Sequence, residues 1–231
     1  MLNIKYFFFN PYQERCMVIW DDSRRAVILD PGFINAGEQD RLFSFISNEG
    51  LDVKAVLLTH AHFDHIYGVA ACVKEFGVDV YMGPGDKVVK DNIGIFAGES
   101  GMPVPDTDWD TVDVHDGDAI CFGNMTFEVI STPGHSPGSV CYYSASTRDL
   151  FCGDTLFAGA IGRTDFRWGS YDDEIRSIMD KLMGMDSDVR VHPCHGGGTT
   201  IGYERTHNPF LQPFNEKDPE TGAVDGIEFN G

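Results

Sequence analysis

The chain has 231 residues, long enough for one large domain or two small ones. Its residues are 42% hydrophobic, 12% aromatic and 23% charged, a composition that can close a globular core. Seventeen Lys and Arg against thirty-six Asp and Glu leave a formal charge of -19, which repels phosphate backbones and anionic lipid, so neither a nucleic acid nor a membrane surface is expected as partner.

The apolar run Tyr6–Phe9 is far too short for an export signal or a membrane span, and a cytoplasmic location is expected. Six cysteines (Cys16, Cys72, Cys121, Cys141, Cys152, Cys194) lie far apart with no C-x-x-C pair, and read as free, mostly buried thiols.

Strands are predicted at Asn3–Phe9, Cys16–Trp20 and Ala26–Leu29, the last running into the turn Asp30-Pro31-Gly32. Asn35 caps a helix whose Leu42, Phe45 and Ile46 share one face, and Gly50 stops it. A short buried strand, Lys54–Thr59, ends at His60. From Asp64 a helix carries Ile66, Val69, Ala70, Val73 and Phe76 to Gly77, and Val78–Met82 is a further strand. A helix near Asp86–Phe96 precedes a Pro/Asp-rich loop. Ala119–Phe122 and Met125–Ser131 form a hairpin through Gly123-Asn124. Strands at Ser139–Ser144 and Leu150–Cys152, an amphipathic helix Tyr171–Met183 and a strand Val189–His192 follow. Beyond about residue 215 the chain is an acidic, Gly-rich tail with little to bury. No repeat or linker divides it, so residues 1–231 read as a single domain. Strands come in runs broken by single helices, which opposes a doubly wound sheet and suits an α/β arrangement of two mixed sheets with helices outside.

The segment Thr59-His60-Ala61-His62-Phe63-Asp64-His65 places three His and one Asp within six residues, after a buried strand and at the mouth of a helix. Four such donors are costly to bury together without a cation, and imidazole with carboxylate suits zinc and its neighbours. His135 in Thr132-Pro133-Gly134-His135, Asp154 in Gly153-Asp154-Thr155 and His195 in Pro193-Cys194-His195-Gly196 repeat one design, a donor beside Gly or Pro at a strand end. His115, His192 and His207 read as solvated or structural.

This ordered set, H-x-H-x-D-H, a single His, Gly-Asp and a final His, resembles the metallo-β-lactamase fold family from about Asp30 to His195. The resemblance implies an αββα sandwich with the metal site at one edge between the sheets. It implies two divalent cations, zinc foremost with iron or manganese as alternatives. His60, His62 and His135 would hold the first, Asp64, His65 and His195 the second, with Asp154 bridging. Such a pair lowers the pKa of a shared water, so that hydroxide attacks a carbonyl without a protein nucleophile, and Asp64 and Asp154 are the carboxylates placed to act on it. Gly134-His135-Ser136-Pro137-Gly138 spells Gly-x-Ser-x-Gly but lies between two predicted strands and not at a strand-to-helix turn, so a serine hydrolase is not supported, and Cys194 reads as a spectator.

Gly153–Phe157, Gly162-Arg163-Thr164-Asp165 and Thr199–Gly202 followed by Asn208-Pro209-Phe210 resemble the glyoxalase II branch, and the last of these resembles its short, single-domain type of bacteria. That implies hydrolysis of a small-molecule thioester such as S-lactoylglutathione, whose thiolate leaves without a strong general acid. Arg163, nine residues after Asp154, matches the family's basic position for the glutathione carboxylate. The chain departs from the longer enzymes by lacking their C-terminal helical domain and by Gly197 where they place a tyrosine; Arg167, Tyr203 and Arg205 are candidate substitutes. Gly162–Phe166 equally resembles the iron-dependent persulfide dioxygenases, and a lactonase would use the same hydroxide. No oligomeric state is read from the sequence.

Overall fold

The computed structural model describes residues 2–212; the acidic tail expected from about residue 215 lies outside them. Three strands open the chain, β1 (Asn3–Phe9), β2 (Glu14–Trp20) and β3 (Arg25–Leu29), followed by helix α1 (Ala36–Asn48) and β4 (Asp52–Leu57). Helices α2 (Phe63–Ile66) and α3 (Val69–Phe76) lead to β5 (Asp79–Met82), then to α4 (Lys87–Asp91), α5 (Ile93–Glu99) and the two-residue β6 (Val112–Asp113). The second half carries β7 (Ala119–Phe122), β8 (Met125–Ser131), β9 (Val140–Ser144), β10 (Asp149–Gly153) and the small pair β11 (Leu156–Phe157) and β12 (Ala160–Ile161). Helix α6 (Tyr171–Ser177), β13 (Arg190–Pro193), β14 (Thr199–Thr200) and α7 (Ile201–His207) complete it.

One sheet has the order β1-β2-β3-β4-β5-β6, antiparallel up to β3 and parallel from β3 to β6. The other has the order β14-β13-β10-β9-β8-β7, antiparallel except for the β10–β13 pair. Both are mixed, and with helices on their outer faces they form the expected αββα sandwich.

The two-residue period of a strand explains the layers. Along β2 and β3, Cys16, Val18, Ala26 and Ile28 face Leu42 and Ile46 of α1 and Cys72 of α3. The alternate residues Met17, Ile19, Val27 and Leu29 face Phe127, Val129, Tyr142 and Phe151 of the second sheet. On the far side of that sheet, Cys141, Leu150 and Cys152 meet Ile178, Leu182 and Ile201. Central strands buried on both faces read as unbroken apolar runs, as these do.

Helix α1 begins as expected, the Asn35 side chain accepting from Glu38 N at 3.0 Å, and ends before Gly50 in the left-handed region (φ +60°). The single helix expected from Asp64 to Gly77 is instead two. Gly68 N donates to Pro31 O at 2.7 Å, and a Cβ added there would collide with the Phe33 ring, so close packing interrupts the helix. The helix expected over 171–183 keeps α geometry only to Ser177. A widened π turn, Ile178–Leu182, follows, with Ile178 and Leu182 both buried in the third layer. Five cysteines are buried and Cys121 is exposed, all unpaired. No helix among the described residues is long and apolar enough to cross a membrane.

At the start of β10, Asp149 is fully buried; Arg190 donates to it through Nε and Nη2, both at 2.8 Å, and His192 Nε2 lies 2.7 Å from its Oδ1. Burial opposes its charge, but the hydrogen bonds from His192 and Arg190 outweigh that and hold the carboxyl well below the usual carboxylate range. A depressed folded pKa means stability present above the unfolded value and lost as pH falls towards the folded one. Asp149→Asn should therefore destabilise by about 1–3 kcal/mol at neutral pH. In denaturant titrations the gap from wild type should be full above about pH 4 and shrink below it; a gap that does not change with pH would contradict the assignment.

Candidate metal centre

Strands β8 and β10 both run antiparallel to β9, and β13 runs parallel to β10, so these three end at one edge of their sheet. The end of β4 meets that edge, where Val140 N donates to Thr59 O at 2.8 Å and Tyr142 Oη to Leu58 O at 2.9 Å. Every expected donor lies just beyond one of these four strands.

After β4, Thr59 is pinned by Asp30, whose Oδ1 accepts from Thr59 N at 2.8 Å and Oδ2 from Thr59 Oγ1 at 2.6 Å. His60 follows, His62 is the residue before α2, and Asp64 and His65 lie in its single turn. Beyond β8, His135 is held by its backbone N–H donating to Glu174 Oε2 at 2.8 Å. Asp154 follows Gly153, which lies at φ +54° with its α-carbon so close to Thr59 that a side chain would collide. His195 follows β13, where Cys194 N donates to Gly153 O at 3.0 Å.

All seven expected donors come together. His135 Nε2 lies 3.2 Å from His60 Nε2 and 2.9 Å from His62 Nδ1. Asp64 Oδ2 lies 3.3 Å from His195 Nε2 and 3.7 Å from His65 Nε2. Asp154 stands between the two sets, Oδ2 3.7 Å from His135 Nε2 and 3.6 Å from His195 Nε2, Oδ1 3.7 Å from His65 Nε2.

These spacings fit cations. Bonds of about 2.0–2.1 Å at tetrahedral angles put neighbouring donors roughly 3.3–3.4 Å apart. His65 Nε2 and Asp154 Oδ1 are buried with no hydrogen-bond partner, which a cation between them would supply. The outward nitrogens are anchored: His135 Nδ1 on Arg163 O at 2.7 Å, His195 Nδ1 on Tyr12 O at 3.2 Å, His65 Nδ1 on Asp30 Oδ2 at 3.2 Å and His60 Nδ1 on Thr59 Oγ1 at 3.1 Å. A carbonyl acceptor requires N–H at Nδ1, so the Nε2 lone pairs of His135 and His195 face the centre.

The two sets differ electrostatically. Burial, then neighbouring imidazoles, hold His60 well below its ordinary value, and burial and His135 lower His62 to about 3. These are neutral donors. Burial also opposes charge on His65, but Asp64 and Asp154 outweigh it and raise the imidazole well above its usual range. Asp154 is buried too, and His65 with His195 and His135 hold it well below the carboxylate range.

Four buried carboxylates around the centre were not singled out by sequence reasoning. Asp30, a turn residue by its sequence, is one of them. Asp86, fully buried, accepts from Ala61 N at 2.6 Å, Ser136 Oγ at 2.9 Å and Gly138 N at 2.6 Å, clasping the His60–His62 and His135 loops together. Glu174 supports His135, and burial raises its carboxyl to about 8. Glu14, fully buried at the start of β2, has no hydrogen-bond partner for either oxygen among the described residues, and burial raises it well above its usual range. Cys194 donates to Asp30 Oδ2 at 3.1 Å and burial pushes its thiol well up, which fits a spectator.

A cavity of about 380 Å³ opens onto the donors, walled by Tyr12, Phe63, Phe96, Phe157 and Phe166. Arg163 also lines it, its guanidinium paired with Asp165 at 3.0 and 2.9 Å and lying 4.4 Å from the Phe166 ring centre. Of the further residues expected to contact substrate, Tyr203 lines a different cavity and Arg205 reaches Ser187 and Met185. His192 is structural, between Tyr6 and Asp149; His115 is exposed, and His207 stacks on Tyr203.

The model of the metallo-β-lactamase superfamily matches residues 9–195, a span containing all seven donors. The chain belongs to that superfamily. Hydroxyacylglutathione hydrolase GloC of Haemophilus influenzae is 36% identical over 216 residues, covering 91% of this chain and 98% of that protein. Among solved structures, the BLEG-1 B3 metallo-β-lactamase superposes with a TM-score of 0.83 at 35% identity, covering 91% of this chain and 100% of its own. TTHA1623 in a di-iron-bound form superposes with a TM-score of 0.81 at 34% identity, covering 90% and 100%.

The clasp at Asp86 is directly testable. Asp86→Ala should weaken zinc binding about 10–100-fold in calorimetric titration while the circular dichroism spectrum stays that of wild type. Unchanged zinc affinity would show that the two loops hold themselves.

Proposed function

We propose that this superfamily member is a binuclear hydrolase of small-molecule thioesters, of the hydroxyacylglutathione hydrolase type. His60, His62 and His135 would hold one divalent cation and Asp64, His65 and His195 the other, with Asp154 shared. The observation that carries this reading is the convergence of seven donors in two adjacent sets, five of which (His62, Asp64, His135, Asp154 and His195) line one cavity. A bound cation pair supplies a nucleophile from water at neutral pH and takes up charge on the attacked carbonyl oxygen. Zinc is the metal proposed first; the di-iron form of TTHA1623 supports iron as an occupant of the same site.

The remaining work falls to the chain's own residues. Phe63, Phe96 and Phe166 wall the cavity and keep water from the acyl group. Arg163 presents its guanidinium at that cavity, where the carboxylate of a glutathione moiety would displace or share Asp165. Asp64 and Asp154 face the centre, where they orient the attacking water. A thiolate leaves at neutral pH without a proton, so no further acid is needed, whereas the amide nitrogen of a β-lactam would need one. The likeness to GloC supports the thioester reading. The unpaired thiols support a reducing, cytoplasmic setting.

Zinc-loaded protein should release thiol from S-lactoylglutathione with kcat/KM on the order of 10⁴ M⁻¹s⁻¹ or better. Arg163→Ala should raise KM about tenfold with kcat kept, as expected for loss of a charged contact. Asp154→Ala should lower turnover by about 10²–10³-fold or more. Oxygen uptake on glutathione persulfide by the iron-loaded protein, or faster turnover of nitrocefin or a homoserine lactone than of the thioester, would overturn the substrate assignment.

A further inference from the structure

A second cavity, of about 850 Å³, shares no lining residue with the cavity over the donors. It lies where β1 and β2 of the first sheet meet β13 and β14 of the second, with α7 beside them. Arg15 of β2 lines it and is only 8% exposed. Its Nε is buried without a hydrogen-bond partner, and among the described residues its guanidinium makes no hydrogen bond or ion pair. It lies over the rings of Tyr6 and Phe8, at 5.2 and 5.6 Å from their centres. A largely buried cation without an anion is costly, and cation–π contacts offset only part of that cost.

The other basic side chains in the cavity are already matched. Arg190 is held by both oxygens of Asp149, and His192 lies between Asp149 and the Tyr6 hydroxyl, 2.8 Å from its Nδ1. Among the described residues lining the cavity, Arg15 is thus the cation without an anionic partner, in a chain that carries thirty-six Asp and Glu. The surrounding wall is mainly apolar, and Phe8 and Tyr203 leave 46% and 54% of their surface open.

We propose that this cavity binds an apolar monocarboxylate, its anionic head on the Arg15 guanidinium and its flat body against the open rings of Phe8 and Tyr203. One cation with an apolar wall selects a single negative charge on an apolar body; a polyanion would leave further charge uncompensated there.

The test uses the metal-loaded full chain with 2-naphthoate as probe and 2-naphthamide as its uncharged match. Calorimetry should show saturable one-to-one binding of the naphthoate, at least about tenfold weaker for the amide. Arg15→Gln and Tyr203→Ala should each weaken the naphthoate at least about tenfold, and Arg163→Gln, at the other cavity, should leave it unchanged. Equal binding of acid and amide by the wild type would overturn the proposal without any variant. So would unchanged affinity in a folded Arg15→Gln, no saturable binding up to about 10 mM, or sedimentation showing the cavity closed between two copies of the chain. Thioester turnover plays no part in these readouts, so failure here is separable from failure of the proposed activity.

Discussion

Seven imidazoles and carboxylates aimed donor to donor in a water-poor floor crowd and strand one another unless cations sit among them. His60, His62 and His135 stand within ordinary hydrogen-bond distances, yet all three are buried and their lone pairs share one focus. His65 Nε2 and Asp154 Oδ1 have no hydrogen-bond partner among the described residues. A fold that keeps such an arrangement must hold the donors rigidly, because relaxation would let them pair or reach water.

The holding is done by buried polar groups on neighbouring loops. Asp30 fixes Thr59 and reaches His65, Asp86 ties the loops beyond β4 and β8, and Glu174 of α6 carries the backbone of His135. Cross-sheet bonds from Val140 to Thr59 and from Tyr142 to Leu58 keep the two strand ends in register. The inter-sheet core of Met17, Leu29, Phe127 and Phe151 lies behind them. Sheet packing, carboxylate clasp and donor geometry are thus one continuous structure, and a change at any level moves the centre.

How much of this the sequence shows depends on the range over which each signal acts. The donors are legible because four fall within six residues and the others sit beside Gly or Pro at strand ends. The strands are legible because apolar runs such as Met17–Ile19 and Ala26–Leu29 are buried on both faces. Gly68 hides its break because Ile66, Val69, Ala70 and Val73 keep the helical period across it; the interruption comes from Phe33 and Pro31, far away in the chain. Glu14, Asp86 and Glu174 are illegible for the same reason, since a lone acid next to an apolar stretch reads as a solvated end until the partner loop is in place. Arg163 shows a mixed case: it lines the cavity over the donors, but its bidentate engagement with Asp165 and the hold of its carbonyl on His135 are tertiary facts.

We propose that two adjacent donor sets take two cations and that Asp154 joins them. Metal content of the zinc-loaded full chain after exhaustive dialysis tests it most directly, measured alongside His62→Ala, His195→Ala and Asp154→Ala. Two ions per chain are expected for wild type, one for each histidine variant, and fewer than two with weakened retention for Asp154→Ala. One ion per chain in the wild type, unchanged by His195→Ala, would contradict the account.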